Sequence, residues 1–191
     1  SDLWLNVKVA GRHSASGDAL AAAEIFTALV PYLAARGIKT LAQAERACLR
    51  VLDGLQRYAA SWRADFSLPV VGITGSNGKT TVRALCEAVL APMGPVLATE
   101  GNLNNHIGLP LMLSRLEPTH AAAVLEMGAN HIGEIAALAA LARPGIGVVT
   151  QAGDAHLEGF GSREGVAQGK GEMFQALPAD GVAIINADDA F

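Results

Sequence analysis

From residue 68 onward, short apolar runs alternate with stretches in which apolar side chains recur every three or four positions. A short apolar run is typical of a buried strand, and a period near 3.6 residues is typical of a helix. The predicted strands are 70–74, 96–98, 121–126, 147–150 and 182–186, and the predicted helices are 79–91, 108–115, 131–142 and 163–176. Such alternation implies parallel strands joined by right-handed crossovers. The pattern therefore predicts an α/β fold with a mostly parallel sheet flanked by helices.

The chain before residue 68 has a different pattern, without strand signals. Apolar positions at helical spacing predict one helix over about 14–36, which Gly37 ends, and a second over about 40–60. Gly54 is the weak point of the second helix, because glycine costs about 1 kcal/mol relative to alanine inside a helix. The N-terminal part is therefore predicted to be a helical segment.

Ligands of open parallel sheets bind at the carboxyl ends of the strands. Three groups of polar residues follow predicted strands directly: Gly75 to Thr81, Glu126, and Gln151 to His156. We expect these groups to lie together at one edge of the sheet.

The sequence "GITGSNGKTT", residues 72–81, has the parts of a phosphate-binding loop between a strand and a helix. Gly75 and Gly78 permit a tight turn, Lys79 can reach the outer phosphates, and Thr80 can bind Mg²⁺. The spacing differs from the general G-x-x-x-x-G-K-[ST] pattern, whose first glycine would fall at Ile73. The alternative is a glycine-rich turn with a solvated lysine, but the strand before the loop and the helix after it favour phosphate binding.

Composition limits the possible partners. The formal net charge of −4 argues against a broad nucleic-acid surface and favours small ligands. Two cysteines, Cys48 and Cys86, are too few for a disulfide framework, so we expect buried or half-buried free thiols in a reducing compartment. No apolar run approaches the length of a membrane span and no signal peptide is visible, so we expect a cytoplasmic protein. Ser1 and the ending "AIINADDAF" suggest that both ends are cut.

The phosphate loop resembles that of the Mur ligase family, and the resemblance continues along the chain. Further matching blocks are "TEGNLNNHIGLPLMLSRL" (99–116), "LEMGANHIGEI" (125–135), "DAHLEGFGSREGVAQGKGEMF" (154–174) and "INADD" (185–189). They are similar to the central ATPase domain of these ligases over about residues 50–191. Within the family they most resemble the member that joins D-alanyl-D-alanine to UDP-N-acetylmuramoyl-tripeptide. The resemblance implies ATP and Mg²⁺ as cofactors and these two small molecules as substrates.

The resemblance also implies roles for particular residues. The nucleotide-binding residues would be Gly75, Ser76, Asn77, Gly78, Lys79, Thr80, Thr81 and Asn186; the substrate-binding residues Asn104 and Asn105; the metal ligands Thr80, Glu126, His156 and Lys170; and the catalytic residues Lys79, Glu126, His156 and Lys170. In the family, the lysine that matches Lys170 is a carbamate, which turns a cation into a metal-binding anion. Gln151 departs from the family, which usually has asparagine there.

Residue chemistry alone supports these roles unequally. Glu126 follows an apolar strand and is a hard oxygen ligand suited to Mg²⁺, although a surface carboxylate is the alternative. By its sequence position alone, Lys170 would be an exposed helix lysine, and His156 a structural hydrogen-bonding residue. Amides such as Asn104 and Asn105 are most often turn formers.

Residues 7–44 do not look like a Mur ligase. They resemble the C-terminal end of proofreading-type 3′-to-5′ exonuclease domains, whose last motif, His-x-x-x-x-Asp, is matched by His13 and Asp18. Such an active site holds two metal ions and needs several carboxylates from earlier strands, which this chain lacks. We therefore expect no nuclease activity, and a histidine and aspartate near a helix start are the structural alternative.

Two domains are predicted, a helical segment over 1–48 and an ATP-binding domain of P-loop type over 49–191 that is truncated at its C-terminal end. The join near residues 46–52 is consistent with a chimera or with a helical segment that happens to resemble an exonuclease tail. The predicted function is that of the ATP-binding domain of an amide ligase working through an acyl-phosphate, with little or no ligation by the isolated chain. A fragment without catalytic activity and a nuclease remnant are the alternatives.

Overall fold

The computed structural model describes residues 31, 33–38, 40–153, 157–189 and 191. By its internal contacts the chain divides into two units, Ser1–Val51 and Leu52–Phe191. The domain boundary predicted between residues 48 and 49 stays a prediction. Most of the helix predicted over 14–36 lies outside the described residues. The same is true of His13, which precedes this helix, and of Asp18, which lies within it.

In the first unit, residues 31 and 33–35 are helical, and the backbone turns at Gly37 with a φ of 75°. The next helix, α1, covers Leu41–Ala64 and extends into the second unit. Its start is fixed by reciprocal hydrogen bonds between Thr40 and Gln43, in which each backbone N–H donates to the side-chain oxygen of the other residue. This arrangement is a capping box, and it agrees with the predicted helix start near residue 40.

In the second unit, five parallel strands form a sheet in the order β2-β3-β1-β4-β5. The strands are β1 (Val70–Thr74), β2 (Val96–Ala98), β3 (Ala122–Glu126), β4 (Ile146–Val149) and β5 (Val182–Ile185). Every predicted strand is therefore confirmed to within one residue at either end. The α/β fold with its parallel sheet is confirmed as well.

The helices after α1 lie between the strands, as predicted. They are α2 (Lys79–Leu90), α3 (Gly108–Leu113), α4 (Glu134–Ala142), α5 (Leu157–Phe160) and α6 (Arg163–Gln175), with a 3₁₀ turn at Ala91–Met93. The short α5 and the 3₁₀ turn were not predicted, because elements this short do not show a helical period. Helix α4 begins three residues later than predicted, since the segment before it is an irregular loop.

The two faces of the sheet are buried differently. On one face, Val71 and Ile73 of β1 pack with Val124 and Val148 against the apolar side of α2. On the other face, Val70, Leu97, Ala123 and Leu125 pack within a larger core that helices α1, α3, α4 and α6 cover. Because successive side chains of a strand point to opposite faces, β1 is buried on both sides, which explains its continuous apolar sequence.

Strand β1 lies between β3 and β4, and this position decides where the polar residues meet. The chain runs from β1 to β2 and β3 on one side and then crosses to β4 and β5 on the other. The carboxyl ends of β1, β3 and β4 are thus adjacent at the point where the strand order reverses, which is where open α/β sheets bind ligands. The register pairs Ile73 with Glu126 and Thr74 with Val149.

Two predictions that do not concern the sheet can also be compared with the structure. Among the described residues, no helix is both long and apolar enough to cross a membrane. Cys48 and Cys86 are free thiols, as predicted, but Cys48 is exposed rather than buried. Its predicted burial is wrong because it lies on a side of α1 that faces solvent.

Candidate functional site

The loop between β1 and α2 has the conformation that the phosphate-loop prediction requires. Gly75 and Gly78 have φ angles of 139° and 81°, which residues with a side chain rarely adopt. A Cβ atom at Gly75 would lie 2.0 Å from the Thr150 hydroxyl oxygen, so glycine is also required by the close approach of β4. Gly78 directly precedes α2, whose first N–H groups have no partners within the helix. The loop is therefore placed to bind an anion at a helix N-terminus.

Lys79 is the first residue of α2, and its ammonium group lies over this loop. Its Nζ donates hydrogen bonds to the carbonyl oxygens of Gly75 at 2.6 Å and Ser76 at 3.5 Å. Partial burial lowers the pKa of Lys79, and the nearby Glu126 carboxylate acts in the opposite direction. The lysine is thus half-buried and hydrogen-bonded to the loop rather than fully solvated, and its role in phosphate binding stays a prediction.

The segment after β4 supports the loop from the other side. The N–H of Ser76 donates to the carbonyl of Gln151 at 2.8 Å, and the N–H of Gly153 donates to the Ser76 hydroxyl at 2.9 Å. The Thr150 hydroxyl donates to the Asn77 carbonyl. These bonds join the ends of β1 and β4 and fix the loop conformation.

Glu126 is the last residue of β3 and lies beside the first turn of α2. It is buried, with only 1% of its surface exposed. The Thr80 hydroxyl donates to Oε2 of Glu126 at 3.3 Å. Arg83 Nε lies 3.3 Å from Oε1, within ion-pair distance, yet neither atom has a hydrogen-bond partner among the described residues. The two findings are compatible, since the pair meets the distance for an ion pair but not the angles of a hydrogen bond. A buried carboxylate oxygen without a partner is costly, and it is the oxygen that a hard cation would bind.

Threonine side chains hold the ends of β1, β2 and β3 together. Thr99, just after β2, accepts a hydrogen bond from the N–H of Glu126 at 2.8 Å, and both residues are buried. The Thr74 hydroxyl donates to the carbonyl of Met127 at 2.8 Å. The Glu126 backbone is therefore fixed from both neighbouring strands.

Lys170 lies on α6 and is only 2% exposed, so the expectation of an exposed helix lysine from sequence position alone is wrong. Its Nζ donates to the Ala129 carbonyl at 3.2 Å and lies 5.1 Å from the centre of the Phe160 ring. Burial, with a smaller contribution from the Lys79 charge, lowers the pKa of Lys170 to about 8. The lysine is buried because α6 packs against β1 and β4, where Met173 lies next to Gly72 and Gly147, and because the loop after β3 contacts its amine through Ala129.

Asn104 and Asn105 lie in the loop before α3 and turn towards the end of β3. The Asn104 carbonyl accepts the N–H of Gly128 at 2.8 Å. The Asn105 side chain accepts the N–H groups of Ile107 and Gly108 at 3.1 and 2.9 Å. Asn105 therefore acts as a turn former in this structure, while both residues also line the cavity next to Lys79.

A cavity of about 550 Å³ brings several of the predicted residues together. Its lining consists of Gln56, Lys79, Asn104, Asn105, His106, Gly128, Ala129, Asn130, Glu134, Ala137, Leu138, Leu141 and Lys170. Glu126 and Thr80 do not line it and lie behind Lys79 at the root of the loop. The cavity thus has two lysines, three asparagines and an apolar side formed by α4.

Asn186, at the end of β5, lies in a different place. It lines a smaller, mainly apolar cavity of about 220 Å³ with Phe174, Ile185 and Asp189 among its walls. Asp189 accepts the N–H of Ala152 at 2.7 Å, in the segment that supports the phosphate loop. The smaller cavity therefore lies beside the segment that supports the glycine loop, with Asn186 at the end of β5.

Some of the predicted residues lie outside the described part of the chain. These are His156, proposed as a metal ligand, and His13 and Asp18 of the exonuclease resemblance. In the described ranges, no group of three or more His, Cys, Asp or Glu side chains could hold a metal ion. A cation at Thr80 and Glu126 would therefore need ligands from a bound phosphate or water as well.

Three residues of the site were missed by sequence reasoning: Arg83, Glu134 and Glu172. Arg83 lies one helical turn after Lys79, and this spacing could have indicated that it faces the end of β3. Burial is the largest single contribution to the pKa of Glu134 and raises it. The hydrogen bonds that Glu134 accepts from the N–H of Asn130, at 2.6 Å, and from His131 together outweigh burial, so the pKa is lowered. Glu172 follows Lys170 by two positions, and nothing in its sequence neighbourhood indicates its burial.

Comparison with known proteins agrees with this geometry. The model of the Mur ligase middle domain matches residues 73–191, which is more than half of the chain. The chain therefore belongs to the Mur ligase family, as the sequence resemblance predicted.

Similar curated proteins share one description. The UDP-N-acetylmuramoyl-tripeptide--D-alanyl-D-alanine ligase of Escherichia coli is 51% identical over 131 residues, which are 68% of this chain and 29% of the ligase. The ligase of the same description from Mycobacterium bovis is 47% identical over 142 residues, 73% of this chain and 28% of that protein. This chain thus spans less than a third of the length of these relatives.

Solved structures give the same assignment of fold. A MurF crystal structure from Acinetobacter baumannii superposes with a TM-score of 0.71 at 38% identity, covering 73% of this chain and 31% of that one. MurF ligase from Thermotoga maritima, solved in complex with ADP, gives a TM-score of 0.68 at 36% identity, covering 72% of this chain and 32% of that one. The exonuclease resemblance of residues 7–44 stays a prediction.

Proposed function

We propose that this chain is the ATP-binding middle domain of a ligase that adds D-alanyl-D-alanine to UDP-N-acetylmuramoyl-tripeptide. The observation that carries the proposal is the glycine loop that ends in Lys79, with Glu126 behind it and a polar cavity in front of it. The description of the ligases to which the chain is 51% and 47% identical supports the choice of substrates. The ADP complex of the Thermotoga maritima relative supports the nucleotide.

In this proposal the phosphates of ATP bind across the loop formed by residues 75–78. The N–H groups at the start of α2 donate to phosphate oxygens, and the positive end of the helix dipole favours the charge. Lys79 exchanges its bonds with the Gly75 and Ser76 carbonyls for bonds with the outer phosphates. Ser76, Asn77, Thr80 and Thr81 supply the remaining polar contacts, and Asn186 contacts the nucleotide from the β5 side.

Thr80 and Glu126 are the proposed protein ligands of one Mg²⁺ ion. The Oε1 atom of Glu126, which accepts no hydrogen bond, and the Thr80 hydroxyl beside Oε2 are hard oxygen donors, which fit this cation. Bound there with phosphate oxygens, Mg²⁺ would neutralise charge on the transferring phosphoryl group. Thr99 keeps the Glu126 backbone in place, and Arg83 limits the movement of its carboxylate.

Lys170 and His156 are proposed to form a second metal site, with Lys170 as a carbamate. The reaction needs a neutral amine, which attacks carbon dioxide to give a carbamate anion and release one proton. A pKa of about 8 means that a substantial fraction of Lys170 is neutral slightly above neutral pH, which favours this modification. The anion would also compensate the positive charge of Lys79 in the same cavity.

The proposed reaction has two steps. A carboxylate oxygen of the tripeptide attacks the γ-phosphorus of ATP, and ADP leaves to give an acyl-phosphate. The amine of D-alanyl-D-alanine then attacks the acyl carbon, phosphate leaves, and the amine loses a proton as the amide forms. Lys79 stabilises the negative charge of the transferring group, and Asn104 and Asn105 orient the muramoyl substrate in the cavity.

The complete reaction is a proposal for a longer protein, because this chain spans less than a third of the ligases that it matches. We expect the chain alone to bind nucleotide but to perform little or no ligation. Release of ADP by this chain that depends on D-alanyl-D-alanine would contradict this expectation.

Isothermal titration calorimetry of Mg²⁺-ATP tests the nucleotide site. We expect the wild-type chain to bind Mg²⁺-ATP and Lys79→Ala to lose this binding. Arg57→Ala is the control, because it also removes one positive charge, from an exposed position on α1, and we expect its binding to be unchanged. Equal affinity in the Lys79→Ala chain and the wild type would contradict the proposed role of the loop. If the wild-type chain does not bind Mg²⁺-ATP, the proposed nucleotide site is wrong.

A further inference from the structure

The loop that forms one wall of the large cavity is attached to helix α6 through a buried carboxylate. Glu172 is 7% exposed, and its two oxygens accept the backbone N–H groups of Gly133 and, at 3.0 Å, Ala136. These N–H groups belong to the start of α4, where amides have no partners within the helix. The helix dipole also favours a negative charge at this position. Glu172 is therefore the cap of a helix to which it does not belong.

A second carboxylate fixes the same loop from within. Oε2 of Glu134 accepts the N–H groups of Asn130 at 2.6 Å and His131 at 3.3 Å. Since Glu134 is itself part of α4, its bonds give the loop an internal shape but do not anchor the loop to the rest of the domain. The bonds from Glu172 provide an anchor on a different helix.

Helix α6 contacts this loop at two points. Lys170 donates to the Ala129 carbonyl at 3.2 Å, and Glu172, two residues later, holds Gly133 and Ala136. Ala129, Asn130 and Lys170 line the cavity that Lys79 also lines, whereas Glu172 does not line it. Glu172 therefore acts on the cavity through the residues that it holds in place and through its charge, which raises the pKa of Lys170 against the larger effect of burial.

We infer that Glu172 is a positioning residue for this cavity: it fixes the loop of residues 129–136 so that Ala129, Asn130 and the Lys170 amine keep their places in the cavity that Lys79 also lines. The inference deepens the proposed function, and its consequence for nucleotide binding rests on that proposal. A phosphoryl group beyond Lys79 would meet this wall, so the wall affects a triphosphate more than a diphosphate.

The substitution Glu172→Gln tests the inference with little change in volume. A carboxamide offers one oxygen acceptor and places an NH₂ group against an N–H donor, so one of the two bonds to the loop is lost. Glu164→Gln is the matched control, because Glu164 is exposed on the same helix and loses the same charge. Leu113→Ala, in the buried core of α3, controls for a general loss of stability.

The first measurement needs no nucleotide. In buffer free of carbon dioxide, so that Lys170 is a free amine, the chain is acetylated briefly with acetic anhydride over a range of pH. Mass spectrometry of peptides then gives the labelling rate of Lys170 relative to Lys79 per neutral amine, which removes the effect of the Glu172 charge on the pKa of Lys170. We expect Glu172→Gln to raise this ratio by about tenfold, the effect of one lost hydrogen bond on local opening. Glu164→Gln and Leu113→Ala should leave the ratio within about twofold, because general unfolding exposes both lysines. An unchanged ratio in Glu172→Gln would overturn the inference.

The second measurement compares the affinities of the same variants for Mg²⁺-ATP and Mg²⁺-ADP by calorimetry. We expect Glu172→Gln to lower the preference for ATP by about tenfold, as is common when the support behind contacting groups is lost. If Glu172→Gln labels faster at Lys170 but keeps the same preference for ATP over ADP, the bonds of Glu172 to Gly133 and Ala136 stabilise the loop without affecting nucleotide binding. That result would overturn the positioning role. If the wild type binds neither nucleotide, the proposed function fails, and the labelling ratio alone decides whether Glu172 holds the wall.

Discussion

The hydroxyl oxygen of Thr80 lies 3.3 Å from Oε2 of Glu126, although 46 positions separate the two residues in the chain. Thr80 belongs to the first turn of α2 and Glu126 to the last position of β3. They meet because β1, which leads into α2, is the direct neighbour of β3 in the sheet. A hydroxyl and a buried carboxylate with one oxygen that accepts no hydrogen bond are thereby placed next to the glycine loop of residues 75–78.

Replacing Thr80 by valine removes this hydroxyl and keeps the shape of the side chain. Because the proposed Mg²⁺ ion loses one ligand, we expect affinity for Mg²⁺-ATP to fall by about 10-fold, with little change for ATP in EDTA. Calorimetry with and without Mg²⁺ measures both values. Thr119→Val, an exposed threonine in a turn, is the control. An equal loss of affinity with and without Mg²⁺ would refute a role for Thr80 as a metal ligand.

Arg83 is the cation beside the buried Glu126 carboxylate. In Arg83→Met this carboxylate loses its charge partner, so we expect the free energy of unfolding to fall by about 1–3 kcal/mol. Urea denaturation measures the change. Arg57→Met removes an arginine from an exposed pair with Asp53, and we expect an effect below about 1 kcal/mol there. Equal effects of the two substitutions would mean that the contact between Arg83 and Glu126 does not contribute to stability.

Two glycine-to-alanine substitutions should change stability in opposite directions. At Gly75, with a φ of 139°, a Cβ atom would collide with the Thr150 hydroxyl, and we expect a loss of about 3 kcal/mol. At Gly54, inside α1, a Cβ atom meets nothing within 4 Å, and we expect a gain of about 0.5–1 kcal/mol. Thermal unfolding of both variants checks the signs, and a stable Gly75→Ala chain would contradict the loop geometry.

Lys170 makes stability depend on pH. Its pKa is about 8 in the folded chain against an ordinary value of 10.5, mainly because burial disfavours the charge. Between these values the unfolded chain binds more protons, so the contribution of Lys170 becomes more favourable to folding as pH rises from about 8 to 10.5. At pH 7 we expect Lys170→Met to be more stable than the wild type by about 1–2 kcal/mol, after allowance for solvent screening.

The test of this prediction is urea denaturation of both chains from pH 7 to 10 in buffer free of carbon dioxide, so that no carbamate forms. The stability advantage of Lys170→Met should shrink as the pH rises above 8. An advantage that stays constant over this range would contradict the lowered pKa of Lys170.

The strands and most helices of the second unit could be predicted from the sequence. The apolar runs around β1 and β3 are buried on both faces, and such runs carry a strong local signal. The turn between β1 and α2 could be predicted as well, because Gly75 and Gly78 are required by local backbone conformation. The start of α4 was predicted too early, because the helix is capped from outside by Glu172 and not by a residue of its own segment.

The sequence by itself thus determined the order of strands and helices, the position of the glycine loop and the identity of Lys79, Thr80 and Glu126 as candidates. These features depend on the period of apolar residues and on the conformational freedom of glycine, which are properties of neighbouring residues. Only the tertiary structure decided that Lys170 is buried, that Arg83 faces Glu126, and that Glu172 holds the start of α4. Burial and pKa depend on which helix packs over which strand end, and that packing brings together residues far apart in the chain.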